Sequence, residues 1–567
     1  MASKVSLFLA ELKRRRVYHV GAAYAGASIL IATASAELYT FFRLPDWTPG
    51  LVILLLIGGF PIALVLAWAY EVRPEEPRKV EEGTEGVPEF SIALDRKSIV
   101  VLPFDNMSPD PGDAYFADGL TEEIISDLSH IRSLRVISRS SAMVFKGTQK
   151  DVRTIGRELN VQFVLEGSVR KAGNDLRITA QLIDAETDAH LWTDKYDGAL
   201  DDVFAMQEQV SRSIVAAMEV HLLPEEEIRL TERAIEDPKA YALYMKARDE
   251  TLKGTAEATR AALNDFELGL EILGENELLF YGMAEALLWG MEYGAMTQDE
   301  AMSRVEELAA RVREMAPASA NSLHLDACLE RLYGRPLEGL RMAESAITVD
   351  PQHLGSMGLI VTGYAGQVGR PERAEGIARR FKGADPLTPL STFQVGWHHW
   401  MCGRLDEALT SFDTGLRVDP AFFWNEFFAA YVLVWQGREE HAAARLAPII
   451  GRDPPDLFSE CAALLRCALD RDAAGARQAL SEGSRTFLWN DLELPPFIAS
   501  AYALADATQE ALDWLEHAAD RGWINYPLFS EHDPLLESIR GEDRFKELMV
   551  RVKRDWEAFG TELGTHV

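Results

Sequence analysis

Cysteine is scarce in this chain: its 567 residues hold four, Cys328, Cys402, Cys461 and Cys467, none in CxxC spacing. That excludes a disulfide framework and a four-cysteine zinc module, and it suits a reducing compartment. Positive charge is scarce too, since 57 Lys and Arg stand against 89 Asp and Glu, a formal net charge of −32. Nucleic-acid binding draws on a basic surface, so no nucleic-acid partner is expected. Three catalytic signatures are missing: a glycine-rich loop ending in GK[ST], an HExxH helix and a GxSxG elbow. No catalytic, cofactor-binding or metal-binding residue is assigned from the sequence, no cofactor is expected, and the chain is not expected to be an enzyme.

What the sequence does hold is a period. Prolines recur at Pro317, Pro351, Pro386, Pro420 and Pro454, at intervals of 34, 35, 34 and 34. Within each interval a Gly-Arg pair follows, at Gly334, Gly369, Gly403 and Gly437. A mid-repeat glycine turn with a terminal proline describes a helix–turn–helix unit that stacks into a solenoid. In the unit closing at Pro420, small residues stand at Gly396, Ala408 and Gly415, and Phe412 fills the aromatic slot between them. A small residue on each helix admits the bulky side chain of its neighbour, which is the packing rule of a tetratricopeptide array. Weaker matches at Ala499, Tyr502, Ala511 and Ala518 and around Cys461 to Ala479 extend the array over 236–567, with a final helix near 544–559 as a cap.

The amino-terminal end reads differently. A basic segment, 1–16, ends in Lys13, Arg14, Arg15 and Arg16, and two uncharged apolar runs follow at 17–36 and 51–70. Each run is long enough as a helix to span the ~30 Å hydrocarbon core, so 17–72 is expected to be two transmembrane helices. Basic residues flank the pair at Arg73, Arg78 and Lys79, which places both ends in the cytoplasm and the lipid bilayer among the partners. The small residues Ala34-Ser35-Ala36 admit a rival signal-peptide reading, weakened by the long basic lead. Residues 73–97 form a charged linker.

From 98 to 222 short apolar runs alternate with amphipathic segments: strands at Ser98 to Phe104, Leu134 to Ser138, Val161 to Arg170, Leu176 to Asp184 and Ala189 to Tyr196. Helices are expected after Asp118-Gly119-Leu120-Thr121, with Thr121 or Asp118 as the cap, at Val152 to Leu159, and from Val203 to Met218. Ala172-Gly173-Asn174-Asp175 reads as a hairpin turn. The segments SIVVLPFDNMSPDPGDAYFADGLTEEIISDLS, RVISRSSAMVFKG and IGRELNVQFVLEGSVRKAGNDLRITAQLIDAETDAHLW resemble the TolB-amino-terminal-like domain of bacterial membrane proteins. That resemblance implies an α+β domain between a membrane anchor and a tetratricopeptide array. Some members of the family carry a nucleotide cyclase or winged-helix domain ahead of the anchor.

Three groups of reactive residues stand out. His398 and Cys402 share a helix face, but two ligands do not make a metal site, and the adjacent His399 falls in the aromatic slot, so packing is preferred. Asp118, Glu122 and Glu123 sit where a helix is expected to start, which favours capping over paired-carboxylate chemistry. Cys461 and Cys467 are six apart and do not face each other, which excludes a redox pair. The expected fold class is therefore multidomain: a two-helix transmembrane hairpin, an α+β TolB-like domain and an all-α tetratricopeptide solenoid. The expected function is a protein-binding scaffold or signalling adaptor at the bacterial inner membrane, with a protein or peptide partner on the concave face. The alternatives are a signalling enzyme related to nucleotide cyclases and an envelope-associated periplasmic assembly factor.

Overall fold

The computed structural model describes residues 97–565, apart from short stretches at 111–113, 149, 200–202, 230–234, 252, 254, 293–295, 421 and 453–454. Strand β1 (Lys97–Val101) is buried throughout its last four residues, and the last three are apolar, because both its faces are covered. Ile99 and Val101 face the helices Ala114–Ser129 and Val203–Ala217, while Val100 faces the helix Val152–Leu159. A strand buried on both faces reads as a continuous apolar run rather than an alternation. With β2 (Asp105–Asn106), β3 (Leu134–Val136), β4 (Phe163–Ala172), β5 (Asp175–Asp184) and β6 (His190–Ala199), it builds one sheet of order β3-β1-β4-β5-β6, β2 pairing with β4. The β3-β1-β4 half is parallel and the β4-β5-β6 half antiparallel. The β4–β5 turn holds Gly173 at φ +65°, as its hairpin sequence predicts.

The helix expected to begin near Asp118 starts four residues earlier, at Ala114. Thr121 is therefore not a cap. It is fully buried inside the helix, its hydroxyl donating to the Ala117 carbonyl at 2.9 Å and accepting from the Phe104 amide at 3.0 Å, which ties the helix to the end of β1.

The rest of the described chain is antiparallel helix pairs. Gly334, Gly369, Gly403 and Gly437 all adopt positive φ, between +64° and +73°. Each ends a helix in the left-handed cap that glycine accepts without a Cβ penalty. At Gly403 the Arg404 amide reaches back to the His399 carbonyl at 2.9 Å and the Gly403 amide to Trp400 at 2.8 Å, and the same pair of bonds recurs at Gly437. The turn then continues past the last of the four glycines. Arg471 at φ +55° and Asp506 at φ +61° stand 34 and 69 residues beyond Gly437 and close the same bonds, Asp472 to Cys467 and Ala507 to Tyr502. Two units that the glycines did not announce thus keep the period.

This geometry sets an expectation of opposite signs. Gly403→Ala should cost about 1–2 kcal/mol, the penalty of a left-handed L-residue. Asp506→Gly should relieve that strain, offset by roughly 0.5–1 kcal/mol of glycine's chain entropy, and come out neutral to slightly stabilising. Urea unfolding of the two variants against wild type checks both signs.

The packing rule of the sequence is met at atomic range. A Cβ on Gly396 would meet the Phe412 ring at 2.4 Å, and one on Gly415 would meet Thr392 Oγ1 at 2.3 Å. The helix Leu354–Thr362 passes into a π-turn at Gly363–Gln367, whose carbonyls are taken by the carboxy-terminal region. Asn525 Nδ2 donates to the Gly366 carbonyl at 2.7 Å, and the Ile524 amide donates to Gln367 at 3.0 Å. The last units therefore fold back onto the middle of the array.

The expected fold class is corrected in two respects. The described residues form one compact unit, a tetratricopeptide-like helical solenoid with a small amino-terminal sheet region, rather than separate domains. The reason lies in the bonds across the junction. The Ser138 amide donates to Ala384, Arg135 Nη1 to Gly383 and Gln352 Nε2 to Ser129, each at 2.7 Å, and the Tyr241 hydroxyl donates to Gly119 at 3.1 Å. Secondly, among the described residues no helix is long and apolar enough to cross a membrane. Phe423–Trp435 is apolar almost throughout, but its 13 residues at 1.5 Å rise reach only about 20 Å of a ~30 Å core. The apolar runs 17–36 and 51–70, the basic segment 1–16 and Pro454 lie outside the described residues. The inner-membrane placement with cytoplasmic ends and the bilayer as a partner find no support in the described chain.

Candidate functional site

Helices of the solenoid border a half-open cavity of about 1630 Å³, walled on one side by Ser126, His130 and Ser140 of the sheet region. Its aromatic lining includes Tyr244, Phe393 and Trp424, and its charged lining includes Arg248, Arg331 and Arg521.

One wall carries a connected polar string. Tyr281 donates its hydroxyl proton to Glu285 at 2.8 Å, and Glu285 lies 3.5 Å from His324 Nε2. The His324 and His353 rings lie 4.9 Å apart. His353 Nδ1 accepts from the Ser356 amide at 3.2 Å, which leaves the proton of a neutral ring on Nε2. That proton then points at Asn321 Oδ1 at 3.3 Å and at the Tyr281 oxygen at 3.4 Å. Asn321 passes the string on, its Nδ2 donating to Glu277 at 3.0 Å.

The two imidazoles take opposite charge states. Burial disfavours the His324 cation, but Cys328 and Glu285 outweigh it and raise the ring to about 10. Burial, and then the His324 charge, push His353 down to about 3. Two adjacent rings cannot both ionise, and the string selects which one does.

Stability should therefore fall on both sides of pH 6.5. A folded pKa above the unfolded value means the native state holds the extra proton, so the His324 contribution is full below pH 6.5 and is lost as pH rises towards 10. A folded pKa below the unfolded value means unfolding takes up the proton, so the His353 contribution is lost as pH falls from 6.5 towards 3. Chemical denaturation across pH tests this: His324→Gln should flatten the alkaline limb relative to wild type, and His353→Asn the acidic one.

The residues weighed in the sequence fall in different places. Asp118 takes Lys146 Nζ at 2.6 Å on the surface. Glu122 turns inward and pairs with both Arg139 and Arg248, so it is neither a cap nor half of a carboxylate pair. Glu123, one residue on, is half-buried. Cys461 is buried, and burial pushes its thiol well up. His399 has its Nδ1 buried without a hydrogen bond and is lowered to about 4 by burial and then by the Arg404 charge. His398 and Cys402 do come together, with Sγ 3.6 Å from Nε2. The sequence reading missed the Tyr281–Glu285–His324–His353 string, whose members lie on two helices and on the cap of a third; the spacing of Tyr281 and Glu285, one turn apart, was the available signal.

Residues 95–232 match a family profile described as the second domain of HilA/YgeH-like transcriptional regulators. That description differs from the TolB-like one expected for this region. A relative named "Putative adenylate cyclase 3", from Rhizobium meliloti (strain 1021), is 44% identical over 208 residues. The match takes in 37% of this chain and 35% of the relative, so the chain spans about a third of that protein's length. Among solved structures, the human IFIT1 dimer with PPP-AAAA aligns at a TM-score of 0.36 and 15% identity, over 56% of this chain and 78% of that one. The APC/C hetero-tetramer Cut9–Hcn1 aligns at 0.35 and 13%, over 64% and 72%. Scores below one half do not establish a shared fold. The solenoid stands on its own period and on the left-handed turns that mark it.

Proposed function

We propose that this chain is a protein-binding scaffold whose concave cavity holds a peptide or a helix of a partner protein. The size of the cavity carries the reading. At about 1630 Å³ it exceeds the roughly 300–1,000 Å³ typical of small-molecule sites. Aromatic side chains offer anchors along its wall, and the polar string offers hydrogen bonds that fix register. Peptides selected on the full chain from a displayed library, then measured by fluorescence anisotropy, test it. Thr486 lines the cavity from an exposed position, so Thr486→Trp fills space there without entering the core. Binding should weaken at least ~tenfold, or 1.4 kcal/mol. Equal binding to wild type and variant contradicts the reading.

Adenylate cyclase activity is a second reading, favoured by the name of the 44% identical relative. Formation of cyclic AMP by the purified chain would replace the scaffold with an enzyme.

A further inference from the structure

The sequence supplies His398 and Cys402 one helical turn apart, and the fold adds a third donor. Glu375, on the neighbouring helix Pro371–Ala384, places Oε2 3.0 Å from His398 Nε2, and Cys402 Sγ lies 3.6 Å from the same nitrogen. The three donor atoms all lie within 4.8 Å of one another, and no other group of three His, Cys, Asp or Glu among the described residues does this. Around a tetrahedral zinc ion with bonds of about 2.0–2.1 Å to N and O and about 2.3 Å to S, neighbouring donors stand roughly 3.3 Å (N to O) and 3.5 Å (N to S) apart. The two His398 separations lie within a few tenths of an ångström of these, and Glu375 and Cys402 lie within 4.8 Å of each other, so an ion entering between them draws the carboxylate and the thiol together.

The surroundings are built rather than accidental. His398 is 1% exposed, while Glu375 and Cys402 are half-buried, so the site is walled behind and open in front. Cys402 sits on the turn capped by Gly403, its amide bonded to the His398 carbonyl at 3.0 Å, which fixes the spacing of thiol and imidazole. Arg404 Nη2 holds Glu375 Oε2 at 2.8 Å, and Nη1 lies 3.4 Å from Oε1. Arg404 balances the carboxylate charge in the metal-free state, and through Oε1 it can orient a ligating carboxylate as outer partners of metal ligands do.

The repeat does not demand these residues. The corresponding positions before Gly334, Gly369 and Gly437 hold Leu329 and Tyr333, Tyr364 and Val368, and Val432 and Gln436. A second His-x-x-x-Cys pair, His324 and Cys328, has the same 3.6 Å separation and also a glutamate, Glu285, at 3.5 Å. There Tyr281 and Ser356 hold the glutamate and the imidazole, and the three donors do not converge. It is an internal control.

We propose that Glu375, His398 and Cys402 form a three-ligand site for a zinc-class divalent ion, with the fourth position open. Mixed O, N and S donors suit a borderline ion such as Zn²⁺ rather than Mg²⁺ or Ca²⁺, which take oxygen ligands. Binding releases the Cys402 thiol proton to solvent, and the ion pins the second helix of one repeat to the first helix of the next.

Cobalt(II) titrated into the full, reduced chain, with Zn²⁺ as displacing ion, tests it. One equivalent should bind with a near-ultraviolet sulfur-to-cobalt band that Zn²⁺ abolishes. Cys402→Ser should remove the band, and Glu375→Gln should weaken binding by at least the about 10–100-fold that loss of an outer partner costs. Cys328→Ser should leave both unchanged. Metal-free melting curves of each variant report whether it folds, and Glu375→Gln decides the matter where Cys402→Ser does not. Absence of the band, its survival in Cys402→Ser, or its loss in Cys328→Ser overturns the site.

Discussion

Glu122→Ala should destabilise the protein by about 3–5 kcal/mol, the cost of stranding a buried charge. Arg139 is 8% exposed, and its Nε lies 2.9 Å from Glu122 Oε2, while Arg248 pairs with the other carboxylate oxygen. Asp249, 46% exposed, gives Arg139 a second counter-charge at 2.6 Å but leaves the inner side of the guanidinium to Glu122. Burial alone would lower the Arg139 pKa; Glu122, ahead of Asp249, reverses that and keeps it raised. The mutation therefore breaks the junction between the sheet region and the first solenoid helices. Glu122→Gln, which keeps the volume and removes the charge, should lose most of the same free energy. Glu122→Met with Arg139→Met together should cost less than Glu122→Ala alone, because the buried Arg139 charge goes with its partner and Arg248, 43% exposed, is left to water. Urea denaturation followed by circular dichroism gives all three values.

Trp400→Ala should cost a comparable ~3–5 kcal/mol for a different reason, the cavity left by a fully buried indole. Trp400 is 0% exposed, and its ring lies 5.1 Å from Trp435, 5.3 Å from Phe497, 5.7 Å from Phe428 and 5.9 Å from Tyr431. It joins the helices Pro389–Met401, Phe423–Trp435 and Pro495–Leu504, so its loss loosens the contact by which the later units fold back. The Trp400 indole nitrogen is buried without a hydrogen-bond partner. Trp400→Phe removes that unsatisfied donor along with some volume and should cost much less than alanine. Equilibrium unfolding monitored by near-ultraviolet circular dichroism separates the two variants.

The legible part of the fold is the part written in local chemistry. The glycines at 334, 369, 403 and 437 were readable because the left-handed turn leaves few alternatives to glycine. The same turn at Arg471 and Asp506 went unread, since residues that tolerate positive φ only at a cost carry no such label. The helix Val152–Leu159 was readable to the residue because Asp151 caps it locally, accepting from the Thr154 amide at 2.9 Å. The start of the Ala114–Ser129 helix was misplaced because Thr121 resembles a cap, and only the long-range bond from Phe104 shows its buried role. The union of sheet and solenoid into one unit rests on bonds such as Arg135 to Gly383, spanning 248 residues, which no sequence window displays. The site follows the same division. His398 and Cys402 were visible as a spaced pair, whereas Glu375 comes from another helix, and the Tyr281–Glu285–His324–His353 string is assembled from two helices and the cap of a third.

Whether a partner protein sits in the cavity is decided by photo-crosslinking in cells. A photoreactive residue is placed at Ser126, Tyr333 or Thr486, which line the cavity from exposed positions, and for comparison at Met107 or Val550, which are 62% and 73% exposed and lie outside it. The three cavity positions should give the same discrete protein adduct and the two outer ones none. Adducts formed equally from both sets, or only from the outer positions, would contradict the cavity as that partner's seat.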